Sequence, residues 1–191
     1  MTRRLTLLSL LALSIAATPA LADRLSRLAG DEATNSFFIE GGGPGLLYSI
    51  NYERLIERDF GVRIGMSYVS YSGTVSGGGS SSSASAGILA VPVTVSYLGL
   101  RGGNHVLELG AGATGVYATG AASGNGLAAS GSGMTALGTV LIGYRRQPVD
   151  GGFMFRIGME ALVGKGLALS NPDPNSFGVL PWMYLSLGFS L

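Results

Sequence analysis

From Ser36 onward, apolar and polar residues alternate one by one along most of the chain, the period of strands and not of helices. The pattern is clearest from Leu141 to Gly164. In the second half of that stretch Phe153, Phe155, Ile157 and Met159 share one parity, and Met154, Arg156, Gly158 and Glu160 the other. In the first half Val140, Ile142 and Tyr144 oppose Leu141, Gly143 and Arg145. Between the halves, Arg145-Arg146-Gln147-Pro148-Val149-Asp150-Gly151-Gly152 contains an Asp-Gly pair, which predicts a hairpin turn. One face of this hairpin is oily and the other carries opposite charges.

The same alternation predicts six further strands. Ser36 to Gly42 sets Phe37 and Ile39 against Phe38 and Glu40, and stops at Gly41-Gly42-Gly43-Pro44-Gly45. Leu46 to Glu57 sets Leu46, Tyr48, Ile50 and Tyr52 against Leu47, Ser49, Asn51 and Glu53, with a turn at Glu57-Arg58-Asp59. A third strand places Phe60, Val62, Ile64, Met66 and Tyr68 outward and Gly61, Arg63, Gly65 and Ser67 inward, then gives way to a low-complexity loop at Gly77-Gly78-Gly79 and Ser80 to Ser83. The fourth, Ile88 to Leu100, carries Leu89, Val91, Val93, Val95 and Tyr97 on one face; Pro92, which has no N–H to donate, predicts a bulge. After Arg101-Gly102-Gly103-Asn104 a fifth strand sets Leu107, Leu109, Ala111, Ala113 and Tyr117 against Glu108, Gly110, Gly112 and Thr114, and a Gly/Ala/Ser loop follows over Thr119 to Gly133. After the hairpin come a loop, Lys165 to Phe177, and a last strand, Gly178 to Leu191. Its outward set is Val179, Met183, Leu185, Leu187, Phe189 and Leu191.

Connections alternate between turns and loops, the asymmetry of an antiparallel, up-and-down transmembrane β-barrel of eight strands. Tyr52, Phe60, Tyr97, Tyr144, Phe153 and Phe189 fall near the turn ends on the outward parity and predict an interfacial girdle; Tyr68 and Tyr117 mark the opposite girdle. The inward parity collects Glu40, Glu53, Arg63, Glu108, Arg145, Arg156 and Glu160. Eight strands enclose a space that side chains fill, so these charges predict a paired, packed interior rather than a water-filled channel.

Composition sharpens the picture. Charged residues make up only 12% of the chain while glycines number 32, a mixture that suits lipid exposure better than a soluble globule. Arg3 and Arg4 before the apolar stretch Leu5 to Ala17, with Ala20-Leu21-Ala22 behind it, predict a cleaved export signal over 1–22, a periplasmic lead-in over 23–35 and a barrel over 36–191. Loss of Arg3 and Arg4 leaves the acidic and basic residues nearly balanced, so charge makes no case for nucleic acid. With no cysteine there are no disulfides, thiol nucleophiles or thiolate metal ligands.

With leader, alternation, girdles and apolar-alternating last strand taken together, the chain resembles the small eight-stranded outer-membrane barrels, the group that includes the OmpA transmembrane domain and the OmpX and OmpW families. The resemblance is one of pattern and covers about Ser36 to Leu191. It implies location in the cell outer membrane, outer-membrane lipids as surroundings, and insertion by the barrel-assembly machinery through the last strand. Such barrels usually end in an aromatic residue; here Leu191 is last and Phe189 stands two positions earlier.

Three functions stay open: a structural or surface-interaction barrel without a steady pore, a narrow channel for small or apolar solutes, and a lipid A deacylase or acyltransferase. For the third, His105 is the sole histidine, with Glu108 three residues on and Ser96 on the neighbouring strand, but no His-x-Ser pattern is present. The expectation is a non-enzyme without catalytic, metal or cofactor residues. A soluble lipocalin-like barrel is the remaining alternative, and it would be recovered without detergent.

Overall fold

The computed structural model describes residues 33–56, 58–77, 80–124, 127–165, 167 and 176–191. The predicted export signal over 1–22, most of the predicted lead-in, and most of the predicted loop from Lys165 to Phe177 lie outside them.

Eight antiparallel strands follow one another round a closed ring: β1 Asn35–Gly42, β2 Tyr48–Ile56, β3 Phe60–Gly77, β4 Ser80–Gly102, β5 His105–Gly124, β6 Leu127–Arg146, β7 Gly152–Lys165 and β8 Phe177–Ser190. The last strand closes on the first from Ser36↔Ser190 to Gly42↔Tyr184, so the short first strand is a full member of the wall. The architecture is the all-β, up-and-down barrel that the alternation predicts.

The wall is uneven in height. β1 and β2 hold 8 and 9 residues and β7 and β8 hold 14 each, whereas β3 to β6 hold 18, 23, 20 and 20. The extra length corrects the two predicted loops. The Ser80 to Ser83 run is strand, paired through Gly77↔Ser80, and most of Thr119 to Gly133 is strand, paired up to Gly124↔Leu127. Gly, Ala and Ser have little strand preference of their own. What extends them is backbone pairing, since β4 and β5 have a ladder partner on both sides.

Pro92 also departs from expectation. It stays in register opposite Thr114, and the ladder toward β3 drops its rungs between Ile64↔Val93 and Ser67↔Ala90 without shifting. A missing N–H costs rungs but requires no extra residue. The irregularity lies instead between Tyr97 and Leu100, beside the turn where Leu98 N donates to Asp59 O at 2.6 Å.

Side chains sort by parity. Ile39, Ile50, Ile64, Met66, Val140, Ile142, Met159 and Leu187 are all about half exposed or more on the outer face. Left in water, apolar area on this scale would cost roughly 25 cal/mol per Å²; a continuous band of it fits hydrocarbon instead. Phe37–Tyr52, Phe60–Tyr97, Tyr144–Phe155 and Phe153–Phe189 form ring pairs across adjacent strands near the turn ends. Phe37 and Phe155 thus join the six aromatics the sequence places there. At the other margin Tyr68, Leu89 and Tyr117 share one rung.

Above that rung the polarity of the wall reverses. Outward positions become Ser70, Ser72, Thr74, Ser83, Ser85, Thr119, Ser123, Ser130 and Ser132, with Ser83 and Ser123 hydroxyls 2.8 Å apart. The inward parity becomes Val69, Tyr71, Val75, Ile88, Ala118 and Leu127. No charged residue occurs between Arg63 and Arg101 or between Glu108 and Arg145.

Candidate functional site: a sealed lumen beneath an open sheet

The lumen is filled in layers. At the turn end Leu55, Leu98 and Val106 pack together. At the tall end Ala90, Val116 and Leu137 pack with Leu46 and Leu167. The connection from β1 to β2 folds into this end instead of standing above it. Gly43–Gly45 forms a single buried 3-10 turn, Pro44 O accepts from Thr114 Oγ1 at 2.8 Å, and Leu46 O accepts from Trp182 Nε1 at 3.0 Å. Positive φ at Gly42, Gly43 and Leu46 bends the chain inward, and at the first two positions glycine makes that conformation inexpensive. Sequence alone marks this segment only as a turn.

Between the apolar layers lies the charged layer. Glu40, Glu53, Glu108, Arg145 and Arg156 have no solvent exposure, and Arg63 and Glu160 have 1% and 4%. Arg156 of β7 donates from Nε and Nη2 to Glu108 of β5, at 2.9 and 2.6 Å, and from Nη1 to Glu40 Oε2 of β1 at 3.2 Å. Arg63 of β3 donates from Nη1 to the same Glu40 oxygen at 2.8 Å and from Nε to Thr94 Oγ1 at 2.8 Å. Ser186 and Ser96 hydroxyls complete the shell, donating to Glu40 and Glu108 at 2.8 and 2.7 Å. Arg145 and Glu53 form a separate pair at 2.5 Å. One network thus ties β1, β3, β4, β5, β7 and β8 together across the bore.

The rings of Phe38 and Tyr184 face Arg156 at 4.6 and 5.3 Å from its Cζ, adding cation–π attraction to the ion pairs. Tyr184 lies across Gly158, where an added Cβ would come 2.6 Å from the ring. At Gly61 a Cβ would meet the Glu53 carboxyl at 2.9 Å. Glycines on the inward parity therefore create the space that the long charged side chains occupy.

Among the described residues seven charges share this layer, and Glu160 joins none of the ion pairs they form. The sequence places it among seven inward charges expected to pair; Arg63 and Arg156 are taken by Glu40 and Glu108, and Arg145 by Glu53.

The serine, histidine and acid considered for hydrolysis are split by the wall. Ser96 and Glu108 meet inside, while His105 is exposed at the turn end, with its Nδ1 2.6 Å from the Tyr144 hydroxyl. Parity separates them: His105 belongs to the outward set and Glu108 to the inward one.

Above the lumen, the β3–β6 sheet has two open edges among the described residues. The ladder of β2 with β3 ends at Met66, and that of β6 with β7 ends at Gly138. Among the described residues, backbone N–H and C=O groups over Val69–Gly77 and Leu127–Thr135 therefore have no strand beside them on one side.

No family model matches the sequence, and no curated protein does either. Solved structures do. The attachment invasion locus protein Ail of Yersinia pestis, in complex with the heparin analogue sucrose octasulfate, aligns over 83% of this chain and 97% of its own with a TM-score of 0.50 and 13% identity. A second Ail structure aligns at TM-score 0.45 and 15% identity over 83% and 97% of the two chains. CarO2 of Acinetobacter baumannii aligns at 0.35 and 12%, over 84% and 99%. Ring closure, strand order and the likeness to the first Ail structure lead to one conclusion: the chain has the fold of the small eight-stranded outer-membrane barrels.

Proposed function

We propose that this protein is an integral barrel of the cell outer membrane that conducts no steady current and presents its tall sheet to partners outside the cell. The turn ends then lie in the periplasm, the apolar band contacts lipid, and the β3–β6 sheet projects outward. The single observation that carries this reading is the Arg63–Glu40–Arg156–Glu108 network, fully buried and spanning the bore between two apolar layers. A charged layer without bulk water can hold strands together but offers ions no continuous path.

The projecting sheet supports the interaction half. Natural sheets blunt their edges with lysine, proline or bulges. Here both open edges are free of charge and of proline, and an extended segment of another polypeptide could add to either as a further strand. Ail, solved in complex with a heparin analogue, shares the fold at 13% identity.

Planar-bilayer recording of the folded protein tests the closed lumen. The expected record is free of steady steps at physiological salt. A reproducible unit conductance, lost when Arg156 or Glu108 is replaced, would overturn the reading in favour of a channel.

A further inference from the structure

On the outer face of the strands the charges are few and of one sign. Among the described residues the outward parity carries Arg54 of β2, Arg146 of β6 and Lys165 of β7, and no carboxylate. Lys165 stands at the far margin, whereas both arginines lie at the turn end, two residues beyond the girdle tyrosines Tyr52 and Tyr144. The acids Asp59 and Asp150 at that end belong to turns, and Arg58 and Arg101 line the end of the bore beside Leu55 and Gln147.

The two arginines have matching surroundings. Beside Arg54, the Tyr52 ring pairs with Phe37 at 5.0 Å and its hydroxyl donates to Asn35 Oδ1 at 2.8 Å; Asn35 is the ladder partner of Arg54. Beside Arg146, the Tyr144 ring pairs with Phe155 at 6.5 Å and its hydroxyl meets His105 Nδ1 at 2.6 Å; His105 and Phe155 are the ladder partners of Arg146. In each place an aromatic pair sets the depth, because such rings settle at the level of the headgroups. The tyrosine hydroxyl meanwhile engages the polar residue next to the arginine. Each arginine is exposed and, among the described residues, has no carboxylate in an ion pair with it. A cation placed just past an aromatic belt keeps its stem along apolar surface and its head among lipid headgroups.

What such a head selects is phosphate, whose oxygens match the fork of guanidinium donors. In a zwitterionic lipid the headgroup amine already offsets the phosphate charge; in phosphatidylglycerol nothing does. We propose that Arg54 and Arg146 form two binding sites for anionic glycerophospholipids in the leaflet at the turn end. β2 and β6 are four strands apart in the ring of eight, so the sites lie on opposite sides of the barrel. The proposal rests on the outer parity facing lipid, and on nothing in the lumen or the tall sheet.

The experiment places the folded protein in phosphatidylcholine vesicles with a trace of phospholipid spin-labelled on its acyl chain, carrying either a phosphatidylglycerol or a phosphatidylcholine headgroup. The fraction of each that the protein holds in slow motion is read from the spectrum. At low salt phosphatidylglycerol should be held in excess of phosphatidylcholine, by about fivefold in affinity at each arginine. The excess should fall away in about 1 M NaCl. Arg54→Gln and Arg146→Gln should each remove about half of it and together abolish it. Arg54→Lys with Arg146→Lys should keep most of it, and Lys165→Gln should change it little. Heat-modifiable gel mobility checks that each variant is folded. The proposal is overturned if the wild type holds the two lipids equally, if the double glutamine variant keeps the excess, or if Lys165→Gln abolishes it. A folded protein that holds neither lipid would refute the membrane reading itself, and this proposal with it.

Discussion

Arg156 is the side chain that closes the lumen, because its guanidinium alone reaches carboxylates on both β1 and β5. Arg145 and Glu53 form the simpler test of what such a pair contributes, since that pair stands apart from the network. Arg145→Met leaves the Glu53 carboxyl buried without its partner, and should cost about 3–5 kcal/mol in urea unfolding. Adding Glu53→Gln should recover much of the loss; a double variant as unstable as the sum of the singles would mean the two groups do not couple. A steric counterpart lies at Gly158, where valine would collide with Tyr184 and with the Ile142 carbonyl, 2.5 Å from an added Cβ. Gly158→Val should lower the fraction of folded, heat-modifiable protein on gels, and Gly158→Val with Tyr184→Ala should restore part of it. Parity was enough to say which residues turn inward, because the contrast between Ile157 and Arg156, or Ile64 and Arg63, is large. It could not pair them, because a partner depends on the stagger between strands. Glu160 looks in sequence like any other inward acid and is distinguished only once Arg63 and Arg156 are seen to be taken.

The β3–β6 sheet shows where alternation stops being legible. In the upper parts of β4, β5 and β6 most residues are Ser, Gly and Ala, whose two faces differ too little for a period to be visible, and whose strand form comes from pairing with neighbours. The inward-folded Gly43–Gly45 turn was equally hidden, since glycine and proline announce a turn but not its direction. Because the upper sheet lies beyond the Tyr68–Leu89–Tyr117 rung, it should be separable from the barrel. Replacing Ser70–Gly87 and Thr119–Ser132 by short turns should leave urea unfolding within about 1 kcal/mol of the wild type, as the network and both apolar layers lie below the cut. The same truncation should abolish binding of any extracellular polypeptide the full protein captures. Loss of folding on truncation would show that the tall strands hold the barrel together, contrary to this division.

For the protein as a unit, everything depends on which face meets hydrocarbon and where along the strands that contact ends. The chain contains no cysteine, so single cysteines can be spin-labelled one at a time without background. In liposomes, labels at Val140, Ile142 and Tyr144 should collide freely with oxygen and little with a nickel chelate, and a label at Leu141 should be shielded from both. Outward labels at Ser72, Ser85 and Ser130, above the Tyr68–Leu89–Tyr117 rung, should instead be open to nickel. That alternation along β6, with its change of solvent above the rung, is the predicted result. Equal nickel access at Val140, Leu141 and Ile142 would contradict it and leave a water-soluble barrel in its place.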